Sequence, residues 1–112
     1  MKVGLFKLNM DTIFNKIIKR EIPAKIEFED DQCIVIHDIK PKAPLHLLII
    51  PKKFIPTISD LADEDQQLMG HLILTARNLA RKRQLEGYKL QFNVGEKGGQ
   101  EVFHIHLHLL GY

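Results

Sequence analysis

Three histidines near the end of the sequence alternate with apolar residues over the segment Phe103–Leu110. A period of two is typical of a half-buried β-strand, because successive side chains of a strand point to opposite faces of the sheet. His104, His106 and His108 should therefore share one face of a strand, whereas a helix would scatter them. An aligned row of imidazoles can hold a metal ion or act on a substrate, so this segment is the first candidate for a functional site.

Two simple interpretations leave part of the histidine row unexplained. Tetrahedral zinc takes imidazole nitrogens at ~2.0–2.1 Å, and two same-face neighbours ~6.5–7 Å apart along a strand could share one ion. The outer two histidines would lie ~13 Å apart, so the metal interpretation leaves one histidine over and needs a ligand from elsewhere. A solvated polar face of an ordinary strand, the second interpretation, suits one histidine better than three.

Nucleophilic catalysis is a third interpretation of the row. A free imidazole has a pKa of ~6.5, so much of it is neutral and nucleophilic at neutral pH. His106 would have an imidazole on either side. Such neighbours can orient it, stabilise charge on a bound phosphate and donate a proton to a leaving group. This arrangement suits an attack on phosphorus.

The histidine row resembles the motif of the histidine triad (HIT) superfamily, His-φ-His-φ-His-φ-φ with φ apolar, and all seven positions from His104 to Leu110 agree. The resemblance continues upstream in Asp11–Phe14, Glu21–Ala24, Phe28–Asp31, His37–Ile39, Ala43–His46, Ile50–Lys53 and Gly98–Gln100. It is closest to the Hint-like branch, the purine nucleoside phosphoramidases. It implies five antiparallel strands with helices packed alongside, and a homodimer whose two sheets run together.

Composition favours one small globular domain. The 112 residues are 45% hydrophobic and 27% charged, and the net charge of +2 is spread along the chain. Nothing in that distribution indicates a nucleic-acid partner, since the one basic run, Arg81–Arg83, is expected at a helix end, where cations complement the helix dipole. We predict an N-terminal extension over residues 1–10 and a single HIT-like domain over residues 11–112.

The sequence also predicts a cytoplasmic protein without a membrane partner. Cys33 is the only cysteine, so no internal disulfide can form, and its apolar neighbours predict a buried thiol in a reducing compartment. The first ten residues lack the apolar core of a secretory signal. No run approaches the ~18–20 apolar residues that span a bilayer.

Periodicity and turn residues predict an α+β fold, a five-stranded antiparallel sheet with a short N-terminal helix and one long helix. Short turns between strands favour antiparallel pairing. Strands are predicted over residues 25–29, 33–37, 45–50, 88–94 and 103–110. The helices are a short one from Asp11, its cap, to Lys19, and a long one from Ser59 or Asp63 to Gln84, with Gly87 as its C-cap.

The resemblance implies further site residues around the histidine row. His46 would belong to a relay that steadies the triad, although its apolar strand alone suggests a satisfied core histidine. His37 would line the nucleoside pocket, whereas His71 has no matching role. Asp38 would accept hydrogen bonds from ribose hydroxyls, or simply serve in a turn. Purine-pocket positions are matched by Ile13, Phe14, Ile17, Ile22, Ile36, Ile39 and Leu48, although the sequence alone favours a plain core role for each of them.

The phosphate side of the implied site falls on the glycine-bearing segment before the triad. Asn93 and Gly99 match phosphate-side positions, and glycines there either mark a turn or let backbone N–H groups approach a phosphate. Glu101 matches a position that is serine in several relatives. A carboxylate would repel a phosphate, so Glu101 should turn away or act on the leaving group.

The activity that the resemblance implies is cleavage of the P–N bond of adenosine and other purine nucleoside phosphoramidates. His106 would attack phosphorus and displace the amine, with His108 and His104 supplying charge stabilisation and the proton, and water would then hydrolyse the nucleotidyl-histidine. No metal or other cofactor is expected, because imidazolium and N–H groups can carry the phosphate charge. Open alternatives are a dinucleoside polyphosphate hydrolase, a DNA-end deadenylase and a non-catalytic nucleotide-binding adaptor.

Overall fold

One antiparallel sheet organises residues 12–112, the part of the chain that this computed structural model describes. The predicted extension over residues 1–10 and the predicted cap Asp11 lie outside the described residues. The sheet has five strands and is accompanied by a short and a long helix, which confirms the predicted α+β class. The elements are α1 (Ile13–Ile18), β1 (Ile26–Glu29), β2 (Cys33–His37), β3 (Leu45–Pro51), α2 (Gln66–Lys82), β4 (Tyr88–Gln91) and β5 (Leu107–Gly111).

The strand order is β1-β2-β3-β5-β4, so the last strand of the chain lies inside the sheet between β3 and β4. In the β3–β5 ladder His46 is opposite Leu110, and Leu48 is opposite His108. This register sets two histidines from segments far apart in sequence on the same face. β1 and β4 form the two edges.

The segment that carries the triad differs from the prediction in where its ladder begins. β5 begins at Leu107, not at Phe103, so only His108 of the three histidines lies in the regular ladder. Before that point the N–H of Ile105 donates to the carbonyl of Ile55 at 2.8 Å. The alternation nevertheless continues through the segment, because Ile105 and Leu107 both join the core beneath α2.

The three central strands, β2, β3 and β5, are buried on both faces, which a half-buried strand pattern does not predict. Helix α2 covers one face over a core of Cys33, Val35, Leu47, Ile49, Ile55, Leu72, Ala76, Leu79, Ile105, Leu107 and Leu109. Helix α1 covers part of the other face over a smaller core of Phe14, Ile17, Ile34, Ile36, Leu48 and Ile50. The histidines therefore face an apolar layer, not open solvent.

The helix ends also depart from the prediction. The hydroxyl of Thr12 accepts the N–H of Asn15 at 3.1 Å and caps α1. Helix α2 follows two short 3₁₀ turns and ends with Arg83 as its C-cap; Gln84 takes the left-handed conformation, with φ of 54°. Gly87 thus lies in the connection to β4 and caps no helix. Neither α1 nor α2 is long and apolar enough to cross a lipid bilayer, and this holds for every helix within residues 12–112.

Candidate active site

Strand alternation decides which side chains meet on the α1 side of the sheet. His46 and Leu48 share one face of β3, and Leu48 belongs to the core beneath α1. His108 lies between Leu107 and Leu109, which both face α2, so its ring faces α1. The structure thus brings His46, His106 and His108 together: ring centroids are 5.2 Å apart for His46 and His108, and 4.9 Å for His106 and His108.

A hydrogen bond from the backbone determines the tautomer of His46, and the ring of His46 in turn determines that of His108. The N–H of Lys42 can only donate, and it lies 3.1 Å from Nδ1 of His46, so that nitrogen is bare and the proton is on Nε2. This Nε2–H lies 2.9 Å from Nδ1 of His108 and donates to it. A neutral His108 therefore carries its own proton on Nε2, a buried atom that finds no partner within residues 12–112.

His106 has the opposite tautomer, and the cause is again a backbone group. Its Nδ1 lies 2.8 Å from the carbonyl oxygen of His104, which can only accept, so Nδ1 carries the proton. The Nε2 of His106 consequently has a free lone pair. The edge of Phe14 contacts this ring at a centroid distance of 4.8 Å. A bare imidazole nitrogen next to the Nε2–H of His108 is a nucleophile paired with a proton donor.

His104 is placed differently from the other two members of the row. Its ring is completely buried, its Nε2–H donates to the carbonyl of Pro51 at 2.8 Å, and Phe14 and Phe54 pack edge-on against it. Because its only proton is already donated, a neutral His104 has none to give to a leaving group. The ring instead anchors the segment whose carbonyl orients His106.

Burial keeps the imidazoles of the site neutral. Desolvation is the main cause that lowers the pKa values of His46, His104 and His106. Burial, then the neighbouring His106 and His46, lower the pKa of His108 to about 4. Asp38 acts in the opposite direction on His46, His106 and His108, because its negative charge favours their cationic forms. At neutral pH the unliganded site therefore holds neutral rings.

These pKa shifts predict that the protein loses stability in acid. In the unfolded chain the histidines titrate near ~6.5, whereas in the folded chain their pKa values are lower, that of His108 being about 4. Between these values the unfolded state binds more protons, so stability is highest above pH ~6.5 and falls as the pH falls toward about 4. Thermal unfolding followed across this interval measures the effect. A His108→Gln variant should show a shallower fall, and an unfolding temperature that stays constant would contradict the prediction.

Asp38 lies on the triad side, but His37 does not. One carboxylate oxygen of Asp38 is 3.5 Å from Nε2 of His46, and the other accepts the N–H of Lys40 at 2.8 Å. His37 shares the opposite face with Val35, and its Nε2 lies 2.8 Å from a carboxylate oxygen of Glu27. The structure therefore joins Asp38, but not the ring of His37, to the triad.

The expected purine-pocket residues divide into a buried and an exposed group. Phe14 and Ile17 of α1 are buried against Ile36 and Leu48 of the sheet, and Ile22 packs against this layer. Ile13 and Ile39 are exposed, Ile39 to 88% of its surface. A cavity of about 340 Å³ opens beside Ile17 and Ile22, and none of the histidines lines it.

The glycine-bearing loop of residues 95–99 is constrained by hydrogen bonds between its own backbone groups. The N–H groups of Gly98, Gly99 and Gln100 donate to the carbonyls of Gly95 and Glu96 at 3.0–3.1 Å. They are thus bonded within the loop, so the expected approach of the glycine N–H groups to a phosphate is not supported.

The two expected phosphate-side residues, Asn93 and Gly99, are adjacent in space. Gly99 has φ of +90°, and a Cβ built on it would lie 3.9 Å from the Asn93 side-chain amide carbon. Glu101 is exposed, and no hydrogen bond ties it to any residue between 12 and 112. No described side chain therefore holds its carboxylate in place, and the expectation that it turns away from a phosphate or acts on the leaving group stays a prediction.

The sequence pattern predicts no role for Gln100, whose side chain is only 4% exposed. It hydrogen-bonds backbone groups of Pro56, Gly95 and Val102 at the approach to the triad. The one feature of the sequence that could have indicated a role for Gln100 is its position, as an uncharged polar residue between the glycine-bearing loop and the histidine row.

Two groups of side chains have metal-ligand chemistry within residues 12–112, Asp38 with His46 and His108, and Asp30 with Cys33 and His71. Each offers three ligands, one fewer than a structural zinc site uses. In the first group the two imidazole nitrogens share a hydrogen bond. In the second, Nε2 of His71 lies 2.7 Å from Asp30, and burial raises the pKa of the Cys33 thiol to about 12.

Comparison with known proteins gives consistent similarities over nearly the whole chain. A family model described as the scavenger mRNA decapping enzyme C-terminal binding region matches residues 11–112. The chain is 50% identical over 105 residues to an uncharacterised HIT-like protein of Synechococcus elongatus, covering 93% of this chain and 92% of the relative.

Solved structures are similar to this chain over a comparable share of its length. A HIT family hydrolase from Legionella pneumophila Philadelphia 1 superposes with a TM-score of 0.88 at 51% identity, covering 90% of this chain and 92% of the other. A histidine triad protein from Clostridium difficile also gives a TM-score of 0.88, at 35% identity, covering 93% of this chain and 92% of the other.

Proposed function

This chain belongs to the histidine triad (HIT) superfamily, and we propose that it hydrolyses the P–N bond of purine nucleoside phosphoramidates, as in the Hint-like branch. The observation that carries the proposal is the pair of tautomers at the site. The bare Nε2 of His106 is a nucleophile, and the Nε2–H of His108, which has no partner within residues 12–112, belongs to the neighbouring ring, with 4.9 Å between the two ring centroids. The similarity to a HIT family hydrolase supports hydrolysis as the reaction class.

In the first step the lone pair of His106 Nε2 attacks phosphorus and the P–N bond breaks. The departing amine takes up one proton from the imidazolium form of His108, which is thereby left neutral. The pKa of His108 is about 4 in the free protein, and a bound phosphate raises it, because a negative charge favours the imidazolium form. In the second step water attacks phosphorus, the bond to His106 breaks, and the proton that the water loses returns to His108. The Nδ1–H bond to His104 keeps His106 in the reactive tautomer throughout.

The neighbouring residues fit a purine nucleotide substrate. The apolar layer of Phe14, Ile17, Ile36 and Leu48 would contact the base, with Ile13, Ile22 and Ile39 at its margin. Asp38 would accept the ribose hydroxyls, and its position beside His46 would link ribose binding to the relay. Asn93 and Gly99 would face the phosphate, and the exposed Glu101 would meet the leaving group.

Assembly into a homodimer is part of the proposal. β4 is an edge strand whose four residues are all exposed, and the exposed apolar residues Tyr88 and Leu90 lie on it. An unprotected apolar edge is ready to pair with another strand. Pairing of two β4 edges would continue one sheet into the next, and sedimentation equilibrium tests whether the chain is a dimer.

Release of AMP and amine from an adenosine phosphoramidate tests the proposal directly. We expect multiple turnovers, which should persist in excess chelator because the proposed steps use imidazole groups alone. A dinucleoside polyphosphate and a capped dinucleotide serve as competing substrates, the second because the matching family description names an mRNA decapping enzyme. Nucleotide binding without turnover would favour the adaptor, and faster cleavage of a competing substrate would replace the phosphoramidate.

A further inference from the structure

The side chain of Gln100 joins three backbone groups near the site of the proposed reaction, which requires the phosphate and the attacking nitrogen to be held at a defined separation. Its Nε2 donates to the carbonyl of Pro56 at 2.7 Å and to that of Val102 at 3.0 Å, and its Oε1 accepts the N–H of Gly95 at 2.9 Å. Both donor hydrogens and the acceptor oxygen of the amide are therefore used. The side chain is nearly fully buried, so water cannot replace these bonds.

The same short segment after β3 anchors both the glycine-bearing loop and the nucleophile. The carbonyl of Pro56 receives Gln100, and the carbonyl of Ile55 receives the N–H of Ile105, the residue before His106. The loop that carries Asn93 and Gly99 is thus held at a set distance from His106 through these two neighbouring carbonyls. A shift of the loop alone would change the position of a phosphate relative to the attacking nitrogen.

We propose that Gln100 is a positioning residue that sets the separation between the phosphate-side loop and the Nε2 of His106. The inference rests on the proposed function. Gln100 acts through the backbone and touches no substrate, so its loss affects the chemical step more than nucleotide binding. Displacement of a reacting group by about 1 Å can cost ~10²-fold in rate. The buried apolar layer of Phe14, Ile17, Ile36 and Leu48, which is proposed to contact the nucleobase, makes no hydrogen bond to Gln100. Nucleotide affinity should therefore change little.

Only an amide satisfies all three partners at this position. A glutamate has the same shape, but its carboxylate would face the carbonyls of Pro56 and Val102 with no hydrogen to donate. Burial and these two carbonyl dipoles raise the pKa of such a carboxyl group, because they disfavour its charged form. When protonated, it would again donate one hydrogen bond and accept the N–H of Gly95.

The test compares Gln100→Glu, Gln100→Met and the matched control Gln67→Glu, which makes the same chemical change on the exposed surface of α2. With an adenosine phosphoramidate, we expect kcat of both Gln100 variants to fall by ~10–100-fold and the Kd for AMP to change by less than about 3-fold. As the pH falls from about 8 to about 6, kcat of Gln100→Glu relative to wild type should rise, while that of Gln100→Met should not. Gln67→Glu should match wild type.

Three outcomes would overturn the inference. They are a wild-type kcat in both Gln100 variants, losses in kcat and in AMP affinity of equal size, and a loss that merely follows the folded fraction measured by circular dichroism. If Gln100→Glu does not fold, Gln100→Met alone tests the inference through the difference between its effects on kcat and on the Kd for AMP.

A wild-type protein without turnover refutes the proposed function instead, and amide NMR then tests whether Gln100 positions the loop relative to His106. Gln100→Met should shift the resonances of Asn93, Gly99 and His106 together, and a shift confined to the loop would refute it.

Discussion

Replacement of His106 by alanine should abolish turnover of a nucleoside phosphoramidate, with kcat reduced at least ~10⁴-fold, while AMP binding survives. The Nε2 of His106 is the atom proposed to bond phosphorus, and its lone pair is bare because Nδ1–H is donated to His104. The apolar layer that we propose contacts the base does not include His106, so we expect nucleotide binding to survive the loss of the ring. Steady-state kinetics and calorimetric titration with AMP measure the two quantities separately.

His71→Ala is the matched control for the nucleophile variant. His71 lies on α2, on the far side of the sheet, and bonds Asp30. It should therefore keep the wild-type kcat. Thermal unfolding of both variants checks that the loss at His106 is not a loss of fold. Wild-type turnover in His106→Ala would remove the nucleophile assignment, and with it the proposed reaction.

The second large effect is expected at Gly98, where a side chain has no room. A Cβ added there would lie 2.3 Å from the carbonyl oxygen of Val94, a backbone atom that cannot move aside without distorting the loop. Gly98→Ala should therefore destabilise the protein by roughly 3 kcal/mol, an overpacking cost at the upper end of its usual range. For a domain of this size, that lowers the unfolding temperature by at least ~10 °C. Differential scanning calorimetry measures the change.

Gly70→Ala provides the opposite control at a glycine with free space. Gly70 lies within α2, and nothing stands within 4 Å of its added Cβ. Because glycine in a helix costs ~0.5–1 kcal/mol relative to alanine, this variant should be slightly more stable than wild type. Equal unfolding temperatures for Gly98→Ala and wild type would show that the loop adapts, and the constraint assigned to Gly98 would be wrong.

The features that the sequence predicts well are those that depend on local periodicity. The apolar run of β2 is bounded by polar residues, and its predicted limits, Cys33–His37, are those observed. The alternation of the histidine row also holds in the structure, since Ile105, Leu107 and Leu109 share the α2-side core. Side-chain alternation is a property of an extended backbone, so it is visible without knowledge of the neighbouring strands.

Helix limits were less predictable, because several residues near each end could serve as the cap. Thr12 caps α1, and Gln84 rather than a glycine takes the left-handed position after α2. Propensity alone favours glycine there. The choice depends on how the chain must turn to enter β4, which the local sequence does not specify.

The sequence alone determined the class of fold, the residue types of the site and the order in which they occur. Only the tertiary structure decided which nitrogen of each imidazole is bare, which of His37 and Asp38 faces the triad, and that Gln100 joins the glycine-bearing loop to the segment after β3. The physical reason is sequence separation: His46 meets His108 across 62 residues, His104 meets Pro51 across 53, and Gln100 meets Pro56 across 44. A tautomer depends on the partner atom at hydrogen-bond distance, and these partners come together only when the sheet has formed.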